Sequence, residues 1–347
     1  MKTQNIFLFL FLLTIFLCPS VAFGEGGLSQ NTKNYSVESV FYLPAYNAVK
    51  GVASLEKNWD KIDILAPQYH TLTAKFNVTG NFGPQLKKAI KDHNIKVMPL
   101  IANAGFNQKL MHNFLLSKTA QDKVINYIIK GALTNGYIGW QYDFENISYK
   151  DRDLYSAFIE RSYKAFKKNN LILSVAVISR TTDYENTNAF KNWGGVFDYK
   201  LIADNSDFIS LMAYDDPNSV GPVASIDFVN KALAYLKDKV PPEKLSLGVP
   251  LYYWKWNADT NKRVGVGLFK NVLTIIASYK HTLDFDESLG VSCLTYAYGK
   301  KNYKIWFEDK NSLDAKLDII KDKNLRGFSA WLLGGEDPEI WNMLAKS

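Results

Sequence analysis

From residue 39 onward, short apolar or β-branched runs alternate with longer segments whose apolar residues recur at helical spacing. Runs of this kind are typical of buried strands, and the segments between them of amphipathic helices. The predicted strands cover residues 39–44, 62–67, 95–101, 137–145, 171–178, 208–214, 245–252 and 327–333. Eight strands separated by helices predict an α/β fold, the (β/α)8 or TIM barrel.

The segments between the strands predict the outer helices and one insertion. Helical patterns cover residues 83–93, 107–133, 152–168 and 228–239, and a last helix is expected over 338–346. The spacing breaks between strands seven and eight, where roughly 75 residues stand in place of one barrel helix. There, residues 291–298 and 303–308 flank a polar turn at 299–302, which predicts a β-hairpin. We therefore expect a small α+β insertion over residues 253–311.

The first 24 residues have the pattern of a secretory signal peptide. Lys2 precedes an apolar run over residues 6–17, and small residues offer a cleavage site near Ala22 or Gly24. The run is too short to span a bilayer comfortably, and no other run approaches the ~20 apolar residues of a membrane helix. We therefore expect a secreted or periplasmic protein that leaves the membrane after cleavage, with residues 25–347 forming the barrel domain.

Composition narrows the possible partners. Of 347 residues, 47% are hydrophobic, which is enough for one large domain. The formal net charge of +7 comes mainly from scattered lysines without a basic and aromatic cluster, so we expect no nucleic-acid binding. The four histidines lack the spacing of a metal site, so no metal is expected. Cys293 is the one cysteine left after cleavage, and we expect a buried free thiol.

The fourth predicted strand carries the candidate chemistry. Its residues alternate between an aromatic face, Trp140, Tyr142 and Phe144, and a polar face, Gln141, Asp143 and Glu145. Carboxylates on one face of a strand lie roughly 6.5–7 Å apart. In a partly desolvated site they cannot both ionise freely, so one pKa is expected to rise. The alternative is a half-exposed strand with solvated acids, but the barrel pattern makes this strand central.

Other strand ends contribute to the same predicted site, because the carboxyl ends of barrel strands meet over one mouth. On this rule Tyr214 and Asp215 after strand six, and Trp331 on strand eight, join the two carboxylates. Aromatic faces stack on sugar rings, and carboxylates and phenols hydrogen-bond hydroxyl groups, so we predict a carbohydrate site. A lone aromatic residue on a strand is more often core than ligand platform. Both interpretations stay open for Tyr42, Tyr252 and Trp254.

These motifs resemble those of glycoside hydrolase family 18, the chitinase-like barrel enzymes. The family motif Asp-Gly-x-Asp-x-Asp-x-Glu on strand four aligns with Ile138, Gly139, Gln141, Asp143 and Glu145. Met212, Tyr214 and Asp215 are similar to the Met-x-Tyr-Asp of strand six, and Trp331 to the tryptophan of strand eight. Residues 248–252, 305–309 and 334–338 look most like the branch of bacterial spore-cortex and cell-wall N-acetylglucosaminidases.

The resemblance implies an enzyme that cleaves β-1,4 linkages next to N-acetylglucosamine by substrate-assisted retaining catalysis. It implies that Glu145 is the acid and base, and that Asp143 and Tyr214 hold the acetamido group of the substrate. It also implies a set of substrate contacts: Gln141, Met212, Asp215, Tyr252 and Trp331. No cofactor is implied. The expected partner is peptidoglycan, chitin or another N-acetylglucosamine-containing glycan, bound by a monomer.

Two departures from the family motif leave an alternative open. Ile138 and Gln141 replace its first two aspartates, and the second normally shares a proton with the next. Gln141 cannot take up that proton, though it can hydrogen-bond Asp143, so Asp143 is expected to stay ionised. The loss of two acids favours a non-catalytic lectin that binds N-acetylglucosamine glycans on the same barrel. The retained Glu145 favours the enzyme. A barrel enzyme of unrelated chemistry would require the motif matches to be chance.

Overall fold

The structure, a computed structural model, describes residues 35–346. The strands in this range are β1 (Glu38–Pro44), β2 (Ile64–Leu72), β3 (Val78–Thr79), β4 (Leu100–Asn103), β5 (Gly139–Asp143), β6 (Ile172–Ile178), β7 (Phe208–Met212), β8 (Leu245–Pro250), β9 (Tyr253–Asn257), β10 (Lys262–Gly267), β11 (His281–Asp286), β12 (Val291–Tyr298), β13 (Lys301–Phe307) and β14 (Gly327–Trp331).

Eight of these strands close into a parallel barrel. Their order is β1, β14, β8, β7, β6, β5, β4, β2, and the pairing of β1 with β2 closes the ring. The prediction of a TIM barrel is thereby confirmed, and each predicted strand overlaps one barrel strand. The third predicted strand is displaced, since β4 begins at Leu100 and Val97 makes only a single bridge to Leu65. The short β3 extends β2 in antiparallel pairing.

The helices are α1 (Ala48–Asn58), α2 (Pro84–Asp92), α3 (Gln108–Leu116), α4 (Lys118–Asn135), α5 (Arg152–Lys167), α6 (Tyr199–Asp204), α7 (Ile226–Leu236), α8 (Phe269–Ser278) and α9 (Lys310–Asp322). Two helix predictions were wrong in extent. The segment 107–133 is two helices, because Ser117 is extended and its hydroxyl caps α4 at the N–H of Ala120. The last predicted helix is a short 3-10 segment, Pro338–Asn342.

The two faces of β5 separate structure from chemistry. Its aromatic side packs outward against the helices: Trp140 donates to the carbonyl of Ile128 on α4 at 2.8 Å, and the Tyr142 hydroxyl donates to Ser162 on α5 at 3.1 Å. Each fully buried side chain of this size stabilises the fold by roughly 1.5–3 kcal/mol. The polar side faces the barrel interior, as the alternation in the sequence predicted.

The predicted α+β insertion between the seventh and eighth barrel strands is present. Its five antiparallel strands have the order β10, β9, β13, β12, β11. One face packs on α8, and the other carries Trp254, Trp256 and Trp306 toward the barrel mouth. Cys293 lies buried on this face as a free thiol, as expected. The turn of the hairpin is residues 299–300 alone, because Tyr298 pairs with Lys301. The bounds 253–311 remain a prediction.

Membrane association and export rest on sequence alone. Between residues 35 and 346, no helix is long and apolar enough to cross a membrane. The predicted signal peptide, residues 1–24, lies outside the described residues.

Candidate active site

The carboxyl ends of three barrel strands bring the predicted catalytic residues to one cavity. Asp143 ends β5, with Glu145 two residues further on, Tyr214 follows β7 and Trp331 ends β14. The cavity has a volume of about 210 Å³ and is lined by all four of these side chains. The sequence therefore predicted correctly which strand ends meet here.

Glu145 is held by a residue that sequence reasoning missed. The Nδ2 of Asn103, the last residue of β4, donates to the carbonyl oxygen of Glu145 at 3.0 Å. In return the Glu145 N–H donates to the Asn103 Oδ1 at 3.0 Å. The strand predicted over 137–145 ends earlier, at Asp143, so this pair of hydrogen bonds replaces the missing strand pairing and fixes Glu145 at the mouth.

Burial raises the pKa of both carboxyl groups and makes them weaker acids than usual. It raises the pKa of Glu145 to about 8, and the neighbouring charges of Asp143 and Asp215 add to this rise. Burial likewise raises the pKa of Asp143, although a hydrogen bond from Gln68 opposes the change. The expected rise is present. The desolvation of this 5% exposed carboxylate outweighs its one hydrogen bond, and the expectation that Asp143 stays ionised remains a prediction.

Tyr214 is a neutral hydrogen-bond donor in this site. Burial raises its pKa well above the ordinary value, and the charges of Asp143 and Glu145 act in the same direction. Its ring has room because position 248 on β8 is glycine. A Cβ there would lie 2.8 Å from the Tyr214 Cε1 and 2.3 Å from the carbonyl oxygen of Leu211.

The remaining predicted contacts surround the same space, with one exception. Met212, Asp215 and Tyr252 line the cavity, and the Tyr252 hydroxyl hydrogen-bonds the Asp215 carboxylate. Asp215 adopts a left-handed backbone with φ of 57°, a conformation that costs free energy in a residue other than glycine. Tyr42 also lines the cavity, with its ring centroid 5.7 Å from that of Trp331.

Gln141 is the exception, because it lies one layer below the cavity and is fully buried. Its Nε2 donates to the hydroxyls of Ser174 and Ser210, at 2.8 and 2.9 Å, and its Oε1 has no partner in the described part of the chain. Ser329 continues this layer through short contacts to Ser210 and Ser246. The predicted hydrogen bond to Asp143 is therefore absent, since the serines take both amide hydrogens, and Gln141 does not line the cavity.

A wider groove opens beside the cavity on the side of the insertion. Its volume is about 1020 Å³, and it shares Asp215, Tyr252 and Trp331 with the cavity. Asp143 and Glu145 do not line it. Tyr46, which is 75% exposed, and Trp254 offer aromatic surface along it. Trp254 belongs to the core of the insertion and also borders the groove, and its role as a ligand platform remains a prediction.

Gln68, which lines the cavity, and Asn103, which anchors Glu145 beside it, were missed for identifiable reasons. Gln68 lies at the middle of β2, just beyond the predicted end of that strand at residue 67, and donates to Asp143. Asn103 ends β4, and the rule that polar residues at strand ends face the mouth would have found it had β4 been bounded correctly. No group of three or more histidine, cysteine, aspartate or glutamate residues within 35–346 is arranged to hold a metal ion.

The geometry defines a class of protein: a barrel hydrolase with a high-pKa carboxyl pair, a phenol donor and a tryptophan at its mouth, next to a sugar-sized groove. The sequence matches the family Glycosyl hydrolases family 18 over residues 32–336. The chain therefore belongs to this family and is a glycosidase, which confirms the predicted resemblance.

Individual relatives agree with the predicted branch. The chain is 25% identical over 265 residues to the uncharacterized glycosylase YvbX of Bacillus subtilis (strain 168), covering 74% of this chain and 76% of the relative. It is 26% identical over 270 residues to the cortical fragment-lytic enzyme of the same organism, covering 75% and 62%. This chain thus spans less than two thirds of that enzyme's length.

Solved structures show the same fold. The spore cortex-lytic enzyme SleL of Bacillus megaterium superposes with a TM-score of 0.79 at 24% identity, covering 92% of this chain and 76% of that one. A chitinase from Chromobacterium violaceum gives a TM-score of 0.78 at 24% identity, covering 88% and 97%.

Proposed function

We propose that the protein hydrolyses the β-1,4 bond that follows an N-acetylglucosamine residue, by substrate-assisted retaining catalysis. The observation that carries the proposal is the buried carboxyl pair. Glu145 has a pKa near 8 and faces the same small cavity as Asp143, Tyr214 and Trp331. A protonated carboxyl group at neutral pH is what the departure of a poor leaving group requires.

In the first step, Glu145 donates its proton to the glycosidic oxygen while the acetamido carbonyl of the substrate attacks the anomeric carbon. The bond to the leaving sugar breaks and a cyclic oxazolinium ion forms. Asp143 faces the positive charge of that ion, and the Tyr214 hydroxyl donates to the acetamido oxygen. Trp331 carries the apolar face of the sugar ring.

In the second step, the Glu145 carboxylate accepts a proton from water, which attacks the anomeric carbon from the side that the leaving sugar vacated. The oxazolinium ring opens, and the product keeps the β configuration of the substrate. Glu145 regains its proton and is ready for another cycle.

The raised pKa values of Asp143 and Glu145 suit the charges that develop in these two steps. Two neighbouring carboxyl groups in a dry site do not both ionise at neutral pH, so the pair holds a proton when substrate arrives. The cationic intermediate then stabilises the ionised form of Asp143. The pair therefore carries its highest negative charge when the sugar is positive.

For the substrate, we propose peptidoglycan glycan strands. The names of two relatives, a cortical fragment-lytic enzyme and a spore cortex-lytic enzyme, support this choice over chitin. The groove beside the cavity has room for at least one further sugar residue. Chitin-type oligomers and N-glycan cores remain the substrates to compare.

Product analysis tests the proposal. The mature protein is incubated separately with peptidoglycan, chitin oligomers and an N-glycan, and products are identified by mass spectrometry with Glu145→Gln as the control. We expect products with N-acetylglucosamine at the new reducing end, of β configuration by NMR at early times. Saccharide binding without cleavage of any substrate would refute the enzyme and favour a lectin.

We also propose that the protein is exported after cleavage near Ala22 or Gly24 and acts as a monomer. The support is the signal-like pattern of residues 1–24 and a cavity built from one chain. N-terminal sequencing of protein recovered outside the cytoplasm, and light scattering of the mature protein, test the two statements. An uncleaved N-terminus or a dimer would contradict them.

A further inference from the structure

Under the proposed function, the groove beside the cavity is the place for the sugar that adjoins the cleaved residue. It shares Trp331, Tyr252 and Asp215 with the cavity but not the acid Glu145. Because the acid stands at the bond that is cleaved, the groove lies on the opposite side of the sugar in the cavity. A glycan threaded through the site therefore places its next residue against the groove wall.

Two cations on this wall form no ion pair with any described residue. Lys50 on α1 and Arg263 on β10 line the groove, and neither makes a hydrogen bond or an ion pair with any residue in the range 35–346. Some other exposed cations of the fold are paired, such as Lys200 with Asp204 at 2.8 Å and Lys231 with Asp227 at 2.6 Å. The guanidinium of Arg263 instead lies 4.2 Å from the ring centroid of Trp254.

A β-bulge turns Arg263 toward the groove. Arg263 pairs with Trp256 and Gly265 with Lys255, so the register of β10 shifts by one residue between them. In a regular strand, the side chains of residues three positions apart point to opposite faces of the sheet. Arg263 and Val266 are three positions apart, yet both line the groove because of the shift. The bulge therefore aims a cation at the site from an edge strand.

The acids of the groove are already engaged. The Asp215 carboxylate accepts a hydrogen bond from Tyr252, and the Asp216 Oδ1 accepts the N–H of Asn218 at 2.9 Å. The charge of Arg263 acts on Asp215 and lowers the pKa of that carboxyl group, but neither Arg263 nor Lys50 forms an ion pair with an acid among the described residues. A ligand that completes the groove supplies hydrogen-bond acceptors with negative charge.

We propose that Lys50 and Arg263 form a subsite for a carboxylate carried by the sugar next to the N-acetylglucosamine in the cavity. This inference rests on the proposed function and names its substrate more closely: a glycan in which N-acetylglucosamine alternates with an N-acetylhexosamine bearing an O-lactyl side chain. Every sugar that adjoins the cleaved N-acetylglucosamine then carries a lactyl carboxylate. The carboxylate comes from the lactyl group itself or from a peptide attached to it, and the guanidinium fork binds either one.

Binding to Glu145→Gln tests the subsite apart from turnover. Calorimetry compares peptide-free glycan strands with the same strands after carbodiimide activation and borohydride reduction, which convert each carboxylate to an alcohol. Peptide-bearing strands form a third arm and distinguish the two sources of the acid. We expect the native strands to bind more tightly than the reduced strands by at least about tenfold at low salt, and this ratio to fall as salt rises.

Added substitutions assign the ratio to the two cations. Arg263→Gln and Lys50→Gln should each lower the ratio of the affinities for native and reduced strands. Their combination should bring this ratio to about one, and Arg263→Lys should keep most of it. Lys262→Gln is the matched control, because Lys262 is the exposed neighbour of Arg263 on β10 and does not line the groove. A ratio that the double substitution leaves unchanged overturns the inference, as does equal binding of native and reduced strands.

The outcome separates this inference from the proposed function. Cleavage of chitin oligomers and glycan strands alike, without charge-dependent binding, would leave the proposed function and remove the subsite. Charge-dependent binding that the double substitution abolishes, without cleavage by the native protein, would leave the subsite and remove the enzyme.

Discussion

Two polar layers lie one above the other inside the same barrel, and they differ in charge. The upper layer contains Asp143 and Glu145 and borders the cavity. The lower layer contains Gln141 with a chain of serine hydroxyls on neighbouring strands: Ser174, Ser210, Ser329 and Ser246. The step between the layers is two residues along β5.

The difference in charge explains why the chemistry is confined to the mouth of the barrel. Neutral hydroxyl and amide groups satisfy one another in full burial, whereas a buried charge needs a paired ion or has to lose its charge. In the lower layer the side chains are neutral and nearly all are partnered. In the upper layer burial raises two pKa values, and the adjoining cavity makes the protons available to a substrate.

The largest expected effect comes from the upper layer. Glu145→Gln keeps the shape of the side chain but removes the transferable proton, so kcat should fall by roughly 10²–10⁴ with little change in sugar affinity. Steady-state kinetics and calorimetry measure the two quantities. Glu160→Gln, on the exposed side of α5, is the control and should match the native enzyme. Substantial turnover by Glu145→Gln would refute its role as the acid.

Tyr214→Phe should have the next largest effect. It removes the donor to the acetamido oxygen without changing packing, so kcat should fall by about 10² or more while KM changes less. Tyr298→Phe, on an exposed tyrosine of the insertion, serves for comparison. If the kinetics of Tyr214→Phe equal those of the native enzyme, the hydroxyl takes no part in the reaction.

The pH profile reports the charges of the upper layer. Glu145 works in its protonated form, and its pKa is raised to about 8, so kcat/KM should hold through neutral pH and fall above that value. The negative charge of Asp215 contributes to the rise, so Asp215→Asn should lower the pKa of Glu145 and move the alkaline limb to lower pH. An alkaline limb near pH 5, or no shift in the variant, would contradict this assignment.

Asn103→Ala should have a smaller effect, because Asn103 positions Glu145 and does not touch the substrate. Loss of the two backbone hydrogen bonds loosens the acid, and kcat should fall by about tenfold. Asn103→Asp keeps the acceptor for the Glu145 N–H and should recover part of the rate. The alkaline limb of Asn103→Ala should also move, which a general loss of stability would not cause. Equal pH profiles would refute the positioning role.

The lower layer should respond in stability more than in rate. Gln141→Glu places a carboxyl group in full burial, which raises its pKa above that of the unfolded chain. The folded state then holds a proton that the unfolded state releases, so the variant should match the native melting temperature at low pH and lose stability as pH rises. Thermal unfolding at pH 4 and pH 8 measures this. A pH-independent difference would show that the layer tolerates charge.

Much of this site could be predicted from the alternation of residues along one strand. The pattern over residues 139–145 separates an aromatic face from a polar face, and the eight apolar runs make that strand central in a barrel. Because barrel topology brings the carboxyl ends of all strands to one mouth, the sequence pattern is enough to predict that Asp143, Glu145, Tyr214 and Trp331 meet.

The burial, the hydrogen-bond partners and the direction of these side chains depend on the tertiary structure. Which layer Gln141 joins depends on hydroxyls from β6 and β7, the anchoring of Glu145 depends on Asn103 of β4, and the direction of Arg263 depends on a bulge in β10. Each of these contacts joins residues distant in sequence or depends on strand register. The local sequence pattern fixes neither long-range contacts nor strand register. Burial, hydrogen-bond partners and pKa values follow from neighbours that only the closed barrel brings together.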